Sequence, residues 1–357
     1  MRPPSSRPAV DHPTDIHLEL DRLRSFLERH LDTPLHGPLR AERLSGGRSN
    51  PTHRLTDGSR RWILRRPPAG PVPGGAHDIS REYRVMTALR DSAVPVPRTV
   101  CLSAGTDGLG APFYVMDAVE GRTLRTGADT EVLSLDQRRR LGENLVDTLV
   151  ALHEIDPARC GLDGWGRPDG FLTRQLERWR RQWYAIATRE CPEVDKIIAM
   201  LGPATPPLRF PGIVHGDYKI DNVLVGHQDP TRILAVLDWE MATTGDTLAD
   251  LGLLVSFWDE PGAMFNPITA GATAHPGFPS AGEIIGRYAD RRGIDPAMID
   301  WYVAFSDLKV AVLLEQIHAR YLRGETVGAG FDDIGDMVAP LLARSLNHAA
   351  SLNPTSH

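Results

Sequence analysis

The chain has 357 residues, 41 % of them hydrophobic, with 40 Lys and Arg set against 46 Asp and Glu for a formal charge of −6. That is enough apolar material for one large or two modest domains, and a slightly acidic balance with arginines interspersed among acids argues against nucleic acid or an anionic membrane as main partner. Cys101, Cys160 and Cys191 are odd in number and lack CxxC spacing, so neither a disulfide framework nor a zinc site is indicated, and a reducing cytoplasm is the expected setting.

Residues 1–13 are Pro-rich and polar and read as a flexible arm. A signal peptide would need an apolar stretch there, and no segment approaches the ~20 apolar residues that span a bilayer. From Ile16 to Leu31 apolar residues recur at helical spacing behind Thr14 and Asp15 as caps. Strand-like segments follow over 40–66, broken by the turn Leu44-Ser45-Gly46-Gly47-Arg48-Ser49-Asn50. Gly46 and Gly47 suit either an ordinary hairpin turn or a loop whose amides approach phosphate without a Cβ in the way. In Arg61-Trp62-Ile63-Leu64-Arg65-Arg66 a strand puts Ile63 and Arg65 on one face and Leu64 and Arg66 on the other. Ile79, Tyr83, Met86 and Leu89 then mark an amphipathic helix carrying Glu82, and strands near 97–103 and 112–117 complete a five-stranded sheet. Beyond it, helical patterns run over 133–155 and 171–189, the latter with Trp179, Trp183 and Tyr184 as core aromatics or pocket lining. The Pro/Gly-rich stretch from Gly262 to Ala281 is a candidate acceptor lid, and helices near 281–292, 296–323 and 331–350 are scaffold.

The chemistry concentrates in His215-Gly216-Asp217-Tyr218-Lys219-Ile220-Asp221-Asn222-Val223-Leu224, followed by Leu237-Asp238-Trp239-Glu240. One tight loop supplies an acid, a cation and an amide, and the next apolar run ends in a second acid. Moving a γ-phosphoryl group from a metal-bound nucleotide needs a carboxylate to orient or deprotonate the acceptor hydroxyl, and oxygen ligands that hold Mg²⁺. Asp217 fits the first role, Asn222 and Asp238 the second. Lys219 suits neutralisation of charge on the transferred group. His215 reads as a brace for the loop instead of a base.

These residues resemble the HxDxxxxN catalytic loop and DFG aspartate of the protein-kinase-like superfamily, in the HGD form of aminoglycoside phosphotransferases and choline kinases. The Leu-Arg-Arg-Pro-Pro stretch at 64–68 resembles most closely the kinase-like domain associated with acyl-CoA dehydrogenases. The resemblance implies an α+β bilobal protein-kinase-like fold, with a small lobe of five antiparallel strands plus a helix (14–117) and a large, mainly helical lobe (118–357). It implies an ATP- and Mg²⁺-dependent kinase acting on the hydroxyl of a small molecule: hydroxyacyl-CoA or hydroxy acid first, aminoglycoside second, choline-like amine third. No obligate protein partner is implied. Arg65 stands where the family's phosphate-anchoring lysine is usual, with Glu82 as its partner, and arginine and lysine are not interchangeable. That departure keeps a rival open, a nucleotide-binding regulatory pseudokinase with negligible transfer. Pro112 to Gly121 resembles the hinge, so Ile63, Met116 and Leu224 become adenine walls, a reading that core packing rivals for Ile63 and Leu224. Asp250 resembles the family's structural aspartate. Glu240 reads equally as an acceptor contact or a brace.

Overall fold

The computed structural model describes residues 19–44, 50–67, 78–105, 110–262, 266, 268–326 and 331–352. The arm at 1–13, the start of the first expected helix and the Gly46-Gly47 turn lie outside the described residues. The described chain divides into two compact units, one gathering the residues up to Tyr83 with Arg98–Ala118, the other Arg84–Pro97 with the chain from Val119 onward.

The first unit is built on helix α1 (Leu20–Glu28) and strands β1 (Arg40–Arg43), β2 (Thr52–Thr56), β3 (Arg61–Arg65), β4 (Thr99–Ser103) and β5 (Phe113–Asp117). The strands form one antiparallel sheet in the order β1-β2-β3-β5-β4. Strand alternation sorts the side chains. Leu55, Trp62, Leu64, Phe113 and Val115 turn to the face that buries Leu23, Phe26 and Leu27 of α1, making one apolar core. Ile63 and Arg65 take the other face, directly across β5 from Met116 and Tyr114. The first turn of α2 (Ile79–Leu89) brings Glu82 to this unit.

The second unit holds α3 (Gly127–Glu131), α4 (Leu135–His153), α5 (Phe171–Ile186), α6 (Pro192–Leu201), α7 (Leu248–Ser256), α8 (Ala281–Arg292), α9 (Asp300–Leu322) and α10 (Val338–Ser351). Ser134 and Ser280 start α4 and α8 with reciprocal capping boxes to Gln137 and Glu283. Helix α9 is apolar nearly all round, and such a helix must be enclosed; α5, α6, α7 and α10 pack on it. Two antiparallel ribbons interrupt the helices: β6 (Pro211–Val214) with β9 (Thr243–Asp246), and β7 (Val223–Val225) with β8 (Ile233–Val236). Neither ribbon is visible in residue periodicity, because three- and four-residue strands are too short to show one.

The stretch read as a lid is tied down where it is described. Thr130 Oγ1 of α3 donates to the Ala272 carbonyl at 2.8 Å, Arg138 of α4 donates to that of Pro276 at 2.8 Å, and Thr269 Oγ1 donates to buried Asp259 at 2.8 Å. A Cβ on Gly142 would lie 2.4 Å from Pro279 Cδ, so α4 and this stretch touch through a glycine. No helix among the described residues is long and apolar enough to cross a membrane.

Candidate active site

The two ribbons carry the two halves of the motif. Strand β6 delivers the chain at His215, the loop turns through a short 3₁₀ segment at Ile220–Asn222, and β7 carries it away; β8 ends at Val236, two residues before Asp238, which precedes a second 3₁₀ turn at Trp239–Met241. Backbone bonding ties the halves together, since Leu237 N–H donates to the Asn222 carbonyl at 2.8 Å. Asp217, Lys219 and Asn222 meet. Lys219 Nζ lies 2.7 Å from Asp217 Oδ2, and Asn222 Nδ2 donates at 2.8 Å both to that oxygen and to the Asp217 carbonyl. Asp217 Oδ2 is thus doubly held, whereas Oδ1 carries no hydrogen bond among the described residues. The bond geometry of Asn222 commits its nitrogen to Asp217 and leaves Oδ1 as the atom of its amide that suits a cation.

Burial opposes the charge on Lys219, but the Asp217 and Asp221 carboxylates outweigh it and raise its pKa. Asp221 lies 3.8 Å from the ammonium, and burial pushes its carboxyl up to about 6. The ring of Phe257 lies 5.1 Å from Lys219 Nζ on the other side. Asp238 has φ +63° and ψ +62°, the left-handed region that costs an ordinary L-residue roughly 1–2 kcal/mol and that Asp and Asn tolerate best. Residues held in sparsely populated backbone regions cluster at active sites and ligand clamps.

The loop is braced from beneath. Asp250, in the first turn of α7 and fully buried, accepts the His215 amide at 2.6 Å, the Gly216 amide at 2.8 Å and His153 Nε2–H at 3.2 Å. Burial raises the Asp250 pKa, yet these donors win and hold it below the ordinary carboxylate value. His215 Nδ1 accepts the Asp217 amide at 3.2 Å, which makes Nε2 the protonated nitrogen that donates to the Leu237 carbonyl at 2.9 Å. Burial lowers its pKa, so the ring is neutral and serves as a strut. Tyr218, fully buried, donates to the Leu145 carbonyl at 2.9 Å.

Sequence reasoning missed Lys309, whose Nζ on α9 donates to the Gly216 carbonyl at 2.8 Å. Its signal was available: Leu308-Lys309-Val310-Ala311-Val312 contains one cation in an apolar helical run, and a buried ammonium needs a partner.

In the first unit Arg65 and Glu82 pair at 3.0 Å, with Glu82 1 % exposed. Glu82 also accepts from Tyr114 Oη at 2.7 Å and from Asn50 Nδ2 at 3.1 Å, two partners that residue spacing does not reveal. Ile63 and Met116 are cross-strand neighbours on the Arg65 face. Leu224 belongs to the second unit, half-buried on β7 beside Gly121, whose backbone approaches so closely that a Cβ would lie 2.8 Å from the Val225 carbonyl oxygen. Trp179 and Trp183 are buried, Tyr184 is exposed, and Glu240 is half-buried in the 3₁₀ turn after Asp238.

Residues 40–284 match the family model described as "Phosphotransferase enzyme family". The chain belongs to that family. This phosphotransferase-family chain is 34 % identical over 331 residues to acyl-CoA dehydrogenase family member 11 of Gallus gallus, and 31 % identical over 325 residues to acyl-CoA dehydrogenase family member 10 of Mus musculus. These alignments cover 90 % and 89 % of the chain but 42 % and 30 % of the relatives, so the chain spans less than half the length of these curated relatives. Among solved structures, a candidate aminoglycoside phosphotransferase from Ralstonia eutropha JMP134 is 30 % identical with a TM-score of 0.79, covering 92 % of this chain and 98 % of that one. A thermostable mutant of the aminoglycoside phosphotransferase APH(4)-Ia, solved with AMP-PNP and hygromycin B, aligns with a TM-score of 0.59 at 16 % identity over 94 % of this chain and 99 % of its own. At that identity the likeness establishes the fold: α+β, protein-kinase-like.

Proposed function

We propose that the chain is an ATP- and Mg²⁺-dependent phosphotransferase that moves the γ-phosphoryl group to the hydroxyl of a small molecule. The observation that carries this reading is the asymmetry of Asp217, with Oδ2 fixed by Lys219 and Asn222 and Oδ1 left to accept a hydroxyl proton. Asp217 orients the acceptor O–H and takes its proton as oxygen bonds to phosphorus and ADP departs. Lys219 stabilises charge on the transferred group. Asn222 Oδ1 and the Asp238 carboxylate are hard oxygen donors of the kind Mg²⁺ prefers, and would hold it. The ion when bound neutralises phosphate charge. In the first unit Arg65, positioned by Glu82, supplies a guanidinium for phosphate oxygens, and Ile63 and Met116 an apolar surface for a base. Hydroxyacyl-CoA or hydroxy-acid acceptors rank above aminoglycosides.

The test is ATP consumption with Mg²⁺ across 3- and 4-hydroxyacyl-CoA thioesters, free hydroxy acids, aminoglycosides and choline. Asp217→Ala should lower transfer by about 10²–10⁴-fold, the span of general-base catalysis, with nucleotide affinity retained. A fully active variant sinks the assignment. Tight ATP binding with silence across the panel favours the regulatory reading instead.

A further inference from the structure

Beneath the catalytic loop, wholly within the second unit, lies a cavity of about 50 Å³ between α5, α9 and the β6–β9 ribbon. Its lining carries two cations, Lys309 and Arg178, among polar side chains that include Gln175, Thr243 and Ser306. Lys309 Nζ spends one N–H on the Gly216 carbonyl and sits 5.8 Å from the Trp179 ring centroid, so its remaining protons lie at the cavity. Trp179 and Ser306 also line it, only 4 % and 1 % exposed, and Trp179 Nε1 and Ser306 Oγ have no hydrogen-bond partner among the described residues. Arg178 and Gln175 stand on the same wall. The one carboxylate there, Asp250, is saturated by the His215 and Gly216 amides and His153.

Two buried donors without partners are costly, and a buried ammonium beside them makes the cavity positive. What relieves all three at once is a small group with two anionic oxygens. A cavity of this size suits the end of a ligand. A cationic group is opposed by Lys309 and by Arg178.

We infer that this cavity is a binding site for a small carboxylate, gripped by Lys309, Trp179 and Ser306, and that this carboxylate belongs to the hydroxylated acceptor. The second clause rests on the phosphotransfer reading; the first does not. The acceptor class that follows is a hydroxy acid, and polycationic aminoglycosides are excluded from this subsite.

The experiment is a titration of the full-length protein without nucleotide, read on the Trp179 indole N–H resonance, assigned with Trp179→Phe. The probes are acetate, 3- and 4-hydroxybutyrate, 4-hydroxybutyramide and kanamycin. Saturable shifts with the three carboxylates alone are expected. Lys309→Met should weaken them by about 10–100-fold, as loss of a charged hydrogen bond does, and Ser306→Ala by about 3–10-fold. Circular dichroism melts certify the fold of each variant, and Ser306→Ala, which leaves the Lys309–Gly216 contact intact, carries the test if Lys309→Met does not fold. No saturable shift with any carboxylate, tighter binding of the amide or kanamycin, or unchanged carboxylate binding in the folded variants overturns the assignment. Because no ATP is present, a protein that binds carboxylates yet never consumes ATP refutes the kinase reading and leaves the site standing. One that consumes ATP with aminoglycosides but ignores carboxylates does the reverse.

Discussion

Asp250→Asn preserves the shape of a buried side chain and reverses the polarity of half of it. The parent carboxylate accepts two backbone amides, from His215 and Gly216, and the His153 Nε2–H, all inside the core. An asparagine can aim one oxygen at part of this set, and its NH₂ must then face a donor. Hydrogen bonds to a charged group contribute about 1.5–3 kcal/mol, and an unsatisfied buried donor costs about 1–3 kcal/mol. Losing one such bond and opposing one donor gives about 2.5–6 kcal/mol, a span that brackets the ~3–5 kcal/mol cost of breaking a buried charged pair. At roughly 2–4 °C per kcal/mol for a unit of this size, a loss of ~3–5 kcal/mol should lower the melting midpoint by about 6–20 °C. The assay is thermal and urea unfolding at pH 7.5. Because the folded-state pKa of Asp250 is lowered, its contribution is present above the unfolded value of 3.8 and lost as pH falls below it, so the gap between parent and variant should close in acid. A variant that melts with the parent at pH 7.5 would refute the idea that this carboxylate holds the loop.

Glu82→Ala removes the carboxylate paired with Arg65 and the acceptor for Tyr114 and Asn50; unfolding in urea should show a loss of about 3–5 kcal/mol, and Glu82→Gln less. His153 and His215 are both kept neutral by burial, with pKa lowered from 6.5. The unfolded chain therefore binds more protons below that pH. Stability should be complete above 6.5 and fall by up to about 1.4 kcal/mol per histidine per pH unit beneath it, so equal unfolding free energies at pH 7.5 and 5.5 would contradict the neutral-strut role. Burial lowers the Lys309 pKa to about 8 against the pull of Asp217 and Asp250, with Lys219 and Arg178 adding to the depression. Raising pH through that value discharges the ammonium, so carboxylate affinity should drop about tenfold per unit above it, and an affinity flat from pH 7 to 10 would contradict it.

The loop from His215 to Asn222 stood out in the sequence because its residue types sit within eight positions and each suits a distinct chemical use. Strand β3 was legible from alternation, with Trp62 and Leu64 against Ile63 and Arg65. What stayed hidden depends on contacts distant in sequence. Nothing near Glu82 in the chain announces Tyr114, nothing near Gly216 announces Lys309, and β6 meets β9 only after about 30 intervening residues fold back. The Gly/Pro-rich stretch before α8 shows the same limit: composition reports turn propensity, whereas the bonds from Thr130 and Arg138 that hold its described turns come from distant residues.

The backbone at Asp238 has a consequence for which sequences can occupy that corner. A left-handed residue favours Gly, Asn or Asp and penalises longer side chains, so glutamate, an equally good oxygen donor, is disfavoured there by its backbone before its reach is considered. Asp238→Gly would relax the corner by about 1 kcal/mol and delete the proposed cation ligand in one step. Selection for thermal robustness alone would therefore drift toward glycine at this position, and persistence of aspartate under such selection would report that the carboxylate is in use.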